Sequence, residues 1–278
     1  MASEGVVDPD LPCVFALGSP RKPIDLHRHQ DEALMKALQR KNYIVTTGTG
    51  SGKSLCFFVP IINRVLAARR AGEPHRTRAI VIYPMNALAN SQREELEKFI
   101  DGCGLDPSLR PTFARYTGQE QDSEREAVAA SPPDIILTNF MMLELLMTRQ
   151  DEVDRQVIAN MEGLEFLVLD ELHTYRGRQG ADVAMLVRRV RERMGASKML
   201  CIGTSATMAS GEEDAGRKAV TEVGTLLFGS TVAHEDIVTE SLVRRTEGMP
   251  SAAAVRAAVL HPPETPGFDS FAADPLAC

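Results

Sequence analysis

The run Thr46-Thr47-Gly48-Thr49-Gly50-Ser51-Gly52-Lys53-Ser54 constrains this chain more than any other feature. It stands directly after an apolar stretch, Tyr43 to Thr46, and opens onto a longer one reaching Arg70. Gly48, Gly50 and Gly52 let the backbone turn its N–H groups toward one point, and the N-terminus of the following helix adds partial positive charge there. A loop of this kind cradles the phosphates of a nucleotide. Lys53 then reaches the β- and γ-phosphates, and the Ser54 hydroxyl is a ligand for Mg²⁺. Thr47 stands where the strict pattern begins with glycine, a small departure. The bland alternative, a glycine-rich turn of an unrelated fold, does not account for the strand before the loop and the helix after it.

A nucleotide site also needs carboxylates at the end of a neighbouring strand. Phe166-Leu167-Val168-Leu169-Asp170-Glu171-Leu172-His173 supplies them: four apolar residues carry the chain through a sheet, and Asp170 and Glu171 emerge at its C-terminal edge. In that place Asp170 holds Mg²⁺, mostly through water, while Glu171 orients and deprotonates the attacking water.

The rest of the chain alternates short β-rich runs with longer helical ones, which predicts an α/β fold, a parallel sheet with helices on both faces. Strands are expected at Tyr43 to Thr46, Ala79 to Tyr83, Thr112 to Tyr116, Ile135 to Thr138, Phe166 to Leu169 and Met199 to Gly203. Helices are expected at Asp31 to Arg40, Lys53 to Arg70, Ala87 to Ile100, Ser123 to Ala130, Phe140 to Thr148, Ala181 to Met194 and Glu213 to Leu227. The Ala181 helix shows its period most clearly, with Val183, Leu186, Val187, Val190 and Met194 on one face. Arg188, Arg189 and Arg191 read as its solvated side.

A formal net charge of -7 argues against nucleic-acid binding through bulk electrostatics, so any such contacts must be local. The N-terminal segment lacks the basic start and apolar run of a secretory signal, and no run approaches the length of a membrane span. The cysteines are scattered in no C-x-x-C spacing, which suggests free thiols, no zinc site and a cytoplasmic protein.

With the loop and the Asp-Glu-Leu-His box in hand, the chain resembles superfamily 2 helicases of the DEAD/DEAH class over Leu26 to Thr246, and the resemblance implies a RecA-like P-loop domain that uses ATP and Mg²⁺. Further motifs follow in the family's order. Gln30 looks like the glutamine that reads the adenine edge. Tyr83-Pro84-Met85-Asn86-Ala87-Leu88-Ala89 looks like motif Ia, which implies nucleic-acid backbone contacts at Pro84 and Asn86. Thr117-Gly118 and Thr138-Asn139 resemble the two other backbone-binding stations, with Asn139 where many relatives have proline. Ser205-Ala206-Thr207 matches the motif that couples ATP state to strand movement, and His173 is a candidate coupling residue beside it. Thr117, Thr138 and Asn139 are also residue types that cap helices and close turns. His27 and His29 read as plain surface residues.

A narrower likeness rests on Asp170-Glu171-Leu172-His173-Thr174-Tyr175-Arg176-Gly177 and on Gly203-Thr204-Ser205-Ala206-Thr207. These runs are similar to long bacterial helicases with a C-terminal cysteine-rich domain, related to the Hrq/Mrf repair helicases and to helicases of phage-defence islands. That likeness implies single-stranded or duplex nucleic acid as partner, DNA rather than RNA.

The organisation expected is an N-terminal extension over 1–25, a RecA-like ATP-binding domain over 26–247, and a proline-rich linker over 248–278. The resemblance implies a second RecA-like domain that supplies an arginine finger, and no Q-x-x-G-R-x-G-R run is present here. The chain therefore reads as a motor half that hydrolyses ATP poorly alone, its partner domain acting in trans or lost by truncation. Two other readings stay open: a non-motor ATP-binding regulatory or scaffold subunit, and a P-loop kinase or transport ATPase.

Overall fold

A computed structural model describes residues 5–48, 50–206 and 213–241 of the chain. Thr49, Thr207 and the expected linker over 248–278 lie outside the described residues.

The element order is α1 (Leu11–Val14), β1 (Ala16–Leu17), β2 (Lys22–Pro23), α2 (Arg28–Leu38), β3 (Tyr43–Thr47), α3 (Leu55–Arg70), β4 (Ala79–Tyr83), α4 (Asn86–Ile100), β5 (Phe113–Tyr116), α5 (Asp122–Ala130), β6 (Ile135–Asn139), α6 (Phe140–Thr148), α7 (Glu152–Ala159), β7 (Phe166–Leu169), α8 (Gly177–Arg193), β8 (Leu200–Ala206), α9 (Glu213–Phe228) and β9 (Ile237–Thr239). A short 3₁₀ turn, Leu172–Thr174, follows β7. Among the described residues β1 and β2 form a small antiparallel hairpin, and the other strands form one seven-stranded sheet ordered β5-β6-β4-β7-β8-β3-β9. Every pairing in that sheet is parallel.

The strands read as continuous apolar runs because both faces of the sheet are covered. Alternate side chains go to opposite sides. Tyr43, Val45, Val81, Leu137, Val168 and Ile202 pack with α1, α2, α3 and α4. Ile44, Ile80, Ile82, Ile136, Leu167 and Cys201 pack with α5 through α9. The expected architecture of a parallel sheet between two helical layers is thus the one observed.

Several elements differ from expectation. The six expected strands are present, and β9 and the β1–β2 hairpin add to them. At two or three residues each, they are too short to show a period. Helix α7 was also not expected. Its start is fixed by Asp151, whose side chain accepts from the Asp154 N–H at 3.1 Å, and its apolar face is only Val157 and Ile158 deep. Helix α8 begins at Gly177, ahead of Ala181, because its first turn is polar and carries no apolar signal. Toward the N-terminus, Val7, Leu11, Val14 and Phe15 are buried in the core formed with α3, so this segment packs within the same compact unit.

The arginines of α8 are not simply a solvated face. Arg188 donates to the carbonyls of Ala184 and Leu226, Arg189 pairs with Glu144, and Arg191 donates to the Phe228 carbonyl at 2.7 Å. They tie α8 to α6 and α9, since an arginine stem covers apolar surface while its guanidinium finds carbonyls at helix ends.

Candidate nucleotide and nucleic-acid site

The strand order sets the geometry of the C-terminal sheet edge. Strand β8 lies between β7 and β3, so the residues that follow β7 and β3 flank the end of β8. The phosphate loop leaves β3, Asp170 leaves β7, and Thr204 and Ser205 ride on β8 itself. On the other half of the same edge, Asn86 follows β4, Asn139 ends β6 and Thr117 follows β5. Ligands of open α/β sheets bind outside this edge.

The loop is held by its own side chains. Gly50 and Gly52 have φ of +78° and +73°, backbone that side-chain-bearing residues rarely adopt. At Gly52 a Cβ would also stand 2.6 Å from Gln30 Nε2. The Ser51 hydroxyl donates to the Gly48 carbonyl at 2.9 Å, which leaves Thr47 to supply the hydrogen in the 2.6 Å contact between the Thr47 and Ser51 hydroxyls. Thr47, the departure from the strict pattern, is fully buried and braces the turn from below. Lys53 Nζ donates to the carbonyls of Thr47 at 3.1 Å and Gly48 at 3.0 Å.

Gln30 is buried at the start of α2, and its amide joins that helix to the loop. Its Oε1 accepts from the His27 N–H at 2.8 Å, and its Nε2 donates to the Gly52 carbonyl at 3.0 Å. The second amide hydrogen and a second lone pair remain for another partner. His29 corrects the expectation of a surface residue: it is buried, and its Nε2 donates to the Ser51 carbonyl at 3.0 Å. Burial, with a smaller contribution from His27, lowers its pKa. Its position beside Gln30 on α2 was the available signal.

At the other end of the site, Asp170 is half-buried. Burial raises its carboxyl to about 6, opposed by a hydrogen bond from the Thr204 hydroxyl and by the Lys53 charge. Thr204 donates to Asp170 Oδ1, and its oxygen accepts the Glu171 N–H at 3.1 Å. The coupling role was expected at His173, Ser205 and Thr207, the last of which lies outside the described residues. Among the described residues, Thr204, which precedes Ser205, makes the hydrogen bonds to the Asp170-Glu171 box. Ser205 is buried beside it on β8. His173 Nδ1 lies 3.2 Å from Glu171 Oε2, within ion-pair reach but off the line of a hydrogen bond.

Three acidic residues found next to the loops were not expected. The Glu240 carboxylate accepts the Gly48 N–H at 2.9 Å. The Ser54 hydroxyl lies 3.3 Å from each oxygen of Glu95 on α4. Glu120 accepts the N–H groups of Thr117, Gly118 and Gln119 at 2.8, 2.8 and 3.1 Å and the Thr117 hydroxyl at 2.9 Å. Burial pushes the Glu120 pKa up, but these hydrogen bonds and Arg115 outweigh it and the net shift is downward. The donors expected to face a nucleic-acid phosphate at Thr117 and Gly118 are therefore taken up by a carboxylate of this chain.

Asn139, Asn86 and Thr117 form one network. Asn139 Nδ2 donates to Asn86 Oδ1 at 2.6 Å and to the Thr117 carbonyl at 3.1 Å, while its Oδ1 caps α6 by accepting the Met142 N–H at 2.7 Å. Thr138 is fully buried and donates to the Tyr116 carbonyl at 2.6 Å, so its hydroxyl braces β5 against β6. Pro84 is half-buried where the chain turns from β4 into α4.

The residues around the loop suit a phosphate with a bound divalent cation. The set combines an ammonium, a hydroxyl and carboxylates, the donors a hard cation and its phosphates take. Around the box the buried Tyr83 and Tyr175 hydroxyls and Glu171 Oε2 have no hydrogen-bond partner among the described residues, a pattern that points to a site built for more than protein.

Residues 27–215 match the family described as DEAD/DEAH box helicase. The chain belongs to that family. It is 31% identical over 191 residues to the uncharacterized ATP-dependent helicase YprA of Bacillus subtilis (strain 168), covering 68% of this chain and 24% of the relative. It is 31% identical over 199 residues to the ATP-dependent helicase hrq1 of Schizosaccharomyces pombe (strain 972 / ATCC 24843), covering 70% of this chain and 18% of that protein. Among solved structures it is similar to the DUF1998 helicase MrfA bound to DNA and AMPPNP, with a TM-score of 0.63 and 26% identity over 85% of this chain and 29% of that one. The chain thus spans about a quarter of the length of such relatives, or less. The helicase domain, its RecA-like fold and the Hrq/Mrf likeness hold. Among the described residues no helix is long and apolar enough to cross a membrane.

Proposed function

We propose that this chain is the ATP-binding half of a nucleic-acid-dependent ATPase, a motor domain that works on DNA. The observation that carries the reading is the division of one sheet edge. The phosphate loop, Asp170 and Glu171 gather at β3, β8 and β7, and the Asn86–Asn139–Thr117 network gathers at β4, β6 and β5. Nucleotide chemistry and strand contact would then share a rigid frame.

In this reading Lys53 leaves the loop carbonyls for the β- and γ-phosphates, and the loop N–H groups hold their oxygens. Ser54 and Asp170 would hold Mg²⁺, which when bound neutralises charge on the phosphate oxygens. Glu171 orients the attacking water and takes its proton. Gln30 has one N–H and one lone pair for the adenine edge. Pro84, Asn86 and Asn139 would line the nucleic-acid path through local polar contacts, which the acidic chain allows, beside the turn at Thr117 and Gly118 that Glu120 holds. MrfA, bound to DNA and AMPPNP, supports DNA as the track. A second RecA-like domain, in the same protein or a separate subunit, would contribute the arginine that stabilises the transition state, worth about 10³ to 10⁵ in rate in comparable enzymes.

ATP hydrolysis by this chain, with and without single-stranded DNA, tests the reading. Slow turnover is expected, lost in Glu171→Gln while nucleotide binding persists. Turnover that Glu171→Gln leaves unchanged would contradict the assignment of the water-activating carboxylate.

A further inference from the structure

Thr204 touches neither solvent nor the mouth of the site, yet its hydroxyl joins both carboxylate residues of the Asp170-Glu171 box. It is fully buried on β8 and paired in register with Val45 of β3, the strand that carries the phosphate loop. From that anchored position its hydrogen goes to Asp170 Oδ1 and its oxygen accepts the Glu171 N–H at 3.1 Å. A hydroxyl has one hydrogen, so giving it to Asp170 fixes which way the carboxylate turns. The Glu171 N–H matters because Glu171 has a left-handed backbone, φ 54° and ψ 57°, which a non-glycine residue adopts only when its surroundings hold it there. No regular strand or helix bond takes the Glu171 N–H; Thr204 does.

We propose that Thr204 is a positioning residue of the nucleotide site, holding Asp170 in the orientation that binds Mg²⁺ and Glu171 in the backbone conformation that aims its carboxylate at the attacking water. This rests on the proposed function above and adds a residue to it. Because Thr204 rides on β8 between the loop strand and the Asp170 strand, it also registers the two halves of the site against each other. Serine keeps the hydroxyl, and valine keeps the shape and removes it.

The experiment titrates a fluorescent ATP analogue, with and without Mg²⁺, into the wild-type chain, Thr204→Val, Thr204→Ser and Lys53→Ala, and follows thermal unfolding of each without nucleotide. Wild type is expected to bind more tightly with Mg²⁺. In Thr204→Val that Mg²⁺-dependent gain should fall about tenfold or more, the size of a lost hydrogen bond to a charged group. Binding without Mg²⁺ should stay near wild type, and Thr204→Ser should recover most of the loss. Two results overturn the inference alone: an undiminished Mg²⁺ gain in Thr204→Val, or an equal loss with and without Mg²⁺ that Thr204→Ser shares, which would mark a purely structural residue. Equal binding by wild type and Lys53→Ala would instead remove the nucleotide site itself, and this inference with it.

Discussion

Asp170 is a carboxylate held where its charged form is disfavoured. Burial raises its carboxyl to about 6, above the ordinary aspartate value of 3.8. The sign of the consequence follows from which state holds the proton. Between these values the folded chain binds more protons than the unfolded one, so the nucleotide-free fold loses stability as pH rises through that window. Asp170→Asn, whose side-chain oxygen can still accept from Thr204, is therefore expected to raise the unfolding temperature at pH 7 to 8, with the gain shrinking toward zero near pH 4. Thermal unfolding of both chains across pH checks this, and a gain independent of pH would contradict it. Lys53, Ser54, Asp170 and Glu171 were legible in the sequence because each sits in a short run whose chemistry is local. His29, Thr204, Glu95 and Glu240 were not, because each meets its partner across a distance in sequence that only strand order closes. Thr204 precedes a recognised Ser-Ala pair, yet nothing in the sequence distinguishes a hydroxyl turned toward Asp170 from one turned to the core.

At the scale of elements, the helix caps and strand ends position the polar network. Asn139 joins three tasks, capping α6 and holding Asn86 and Thr117. Asn139→Ala should cost about 1 kcal/mol of stability through the lost cap. It should also weaken single-stranded DNA binding, read by fluorescence anisotropy; unchanged DNA affinity would show that the network is scaffolding only. A second prediction concerns the opposite, N-terminal edge of the sheet. Arg78 at the entrance to β4 is buried and pairs with Glu165, which precedes β7, and with Glu73. Glu165→Ala leaves that guanidinium short of a partner, an expected loss of about 3 kcal/mol measurable by denaturant unfolding. A loss below about 1 kcal/mol would mean that Glu73 suffices. The long strands and helices were readable from apolar runs and periodicity. Helix α7, β9 and the N-terminal hairpin were not, since their few apolar residues show no period and burial comes from tertiary contact.

For the molecule as a whole, the parallel order β5-β6-β4-β7-β8-β3-β9 turns scattered motifs into one edge. Strand alternation in the sequence predicted the two-layered sheet, but the order of strands, and hence which motifs become neighbours, appears only in the fold. At that edge the loop after β3 is proposed to bind the phosphates of ATP through Lys53. Isothermal titration of Mg-ATP into the wild-type chain and Lys53→Ala tests this most directly. Saturable binding is expected for wild type, weakened at least about tenfold in Lys53→Ala, the cost of one charge-assisted contact; no binding by wild type, or equal binding by both, would contradict a phosphate-binding loop.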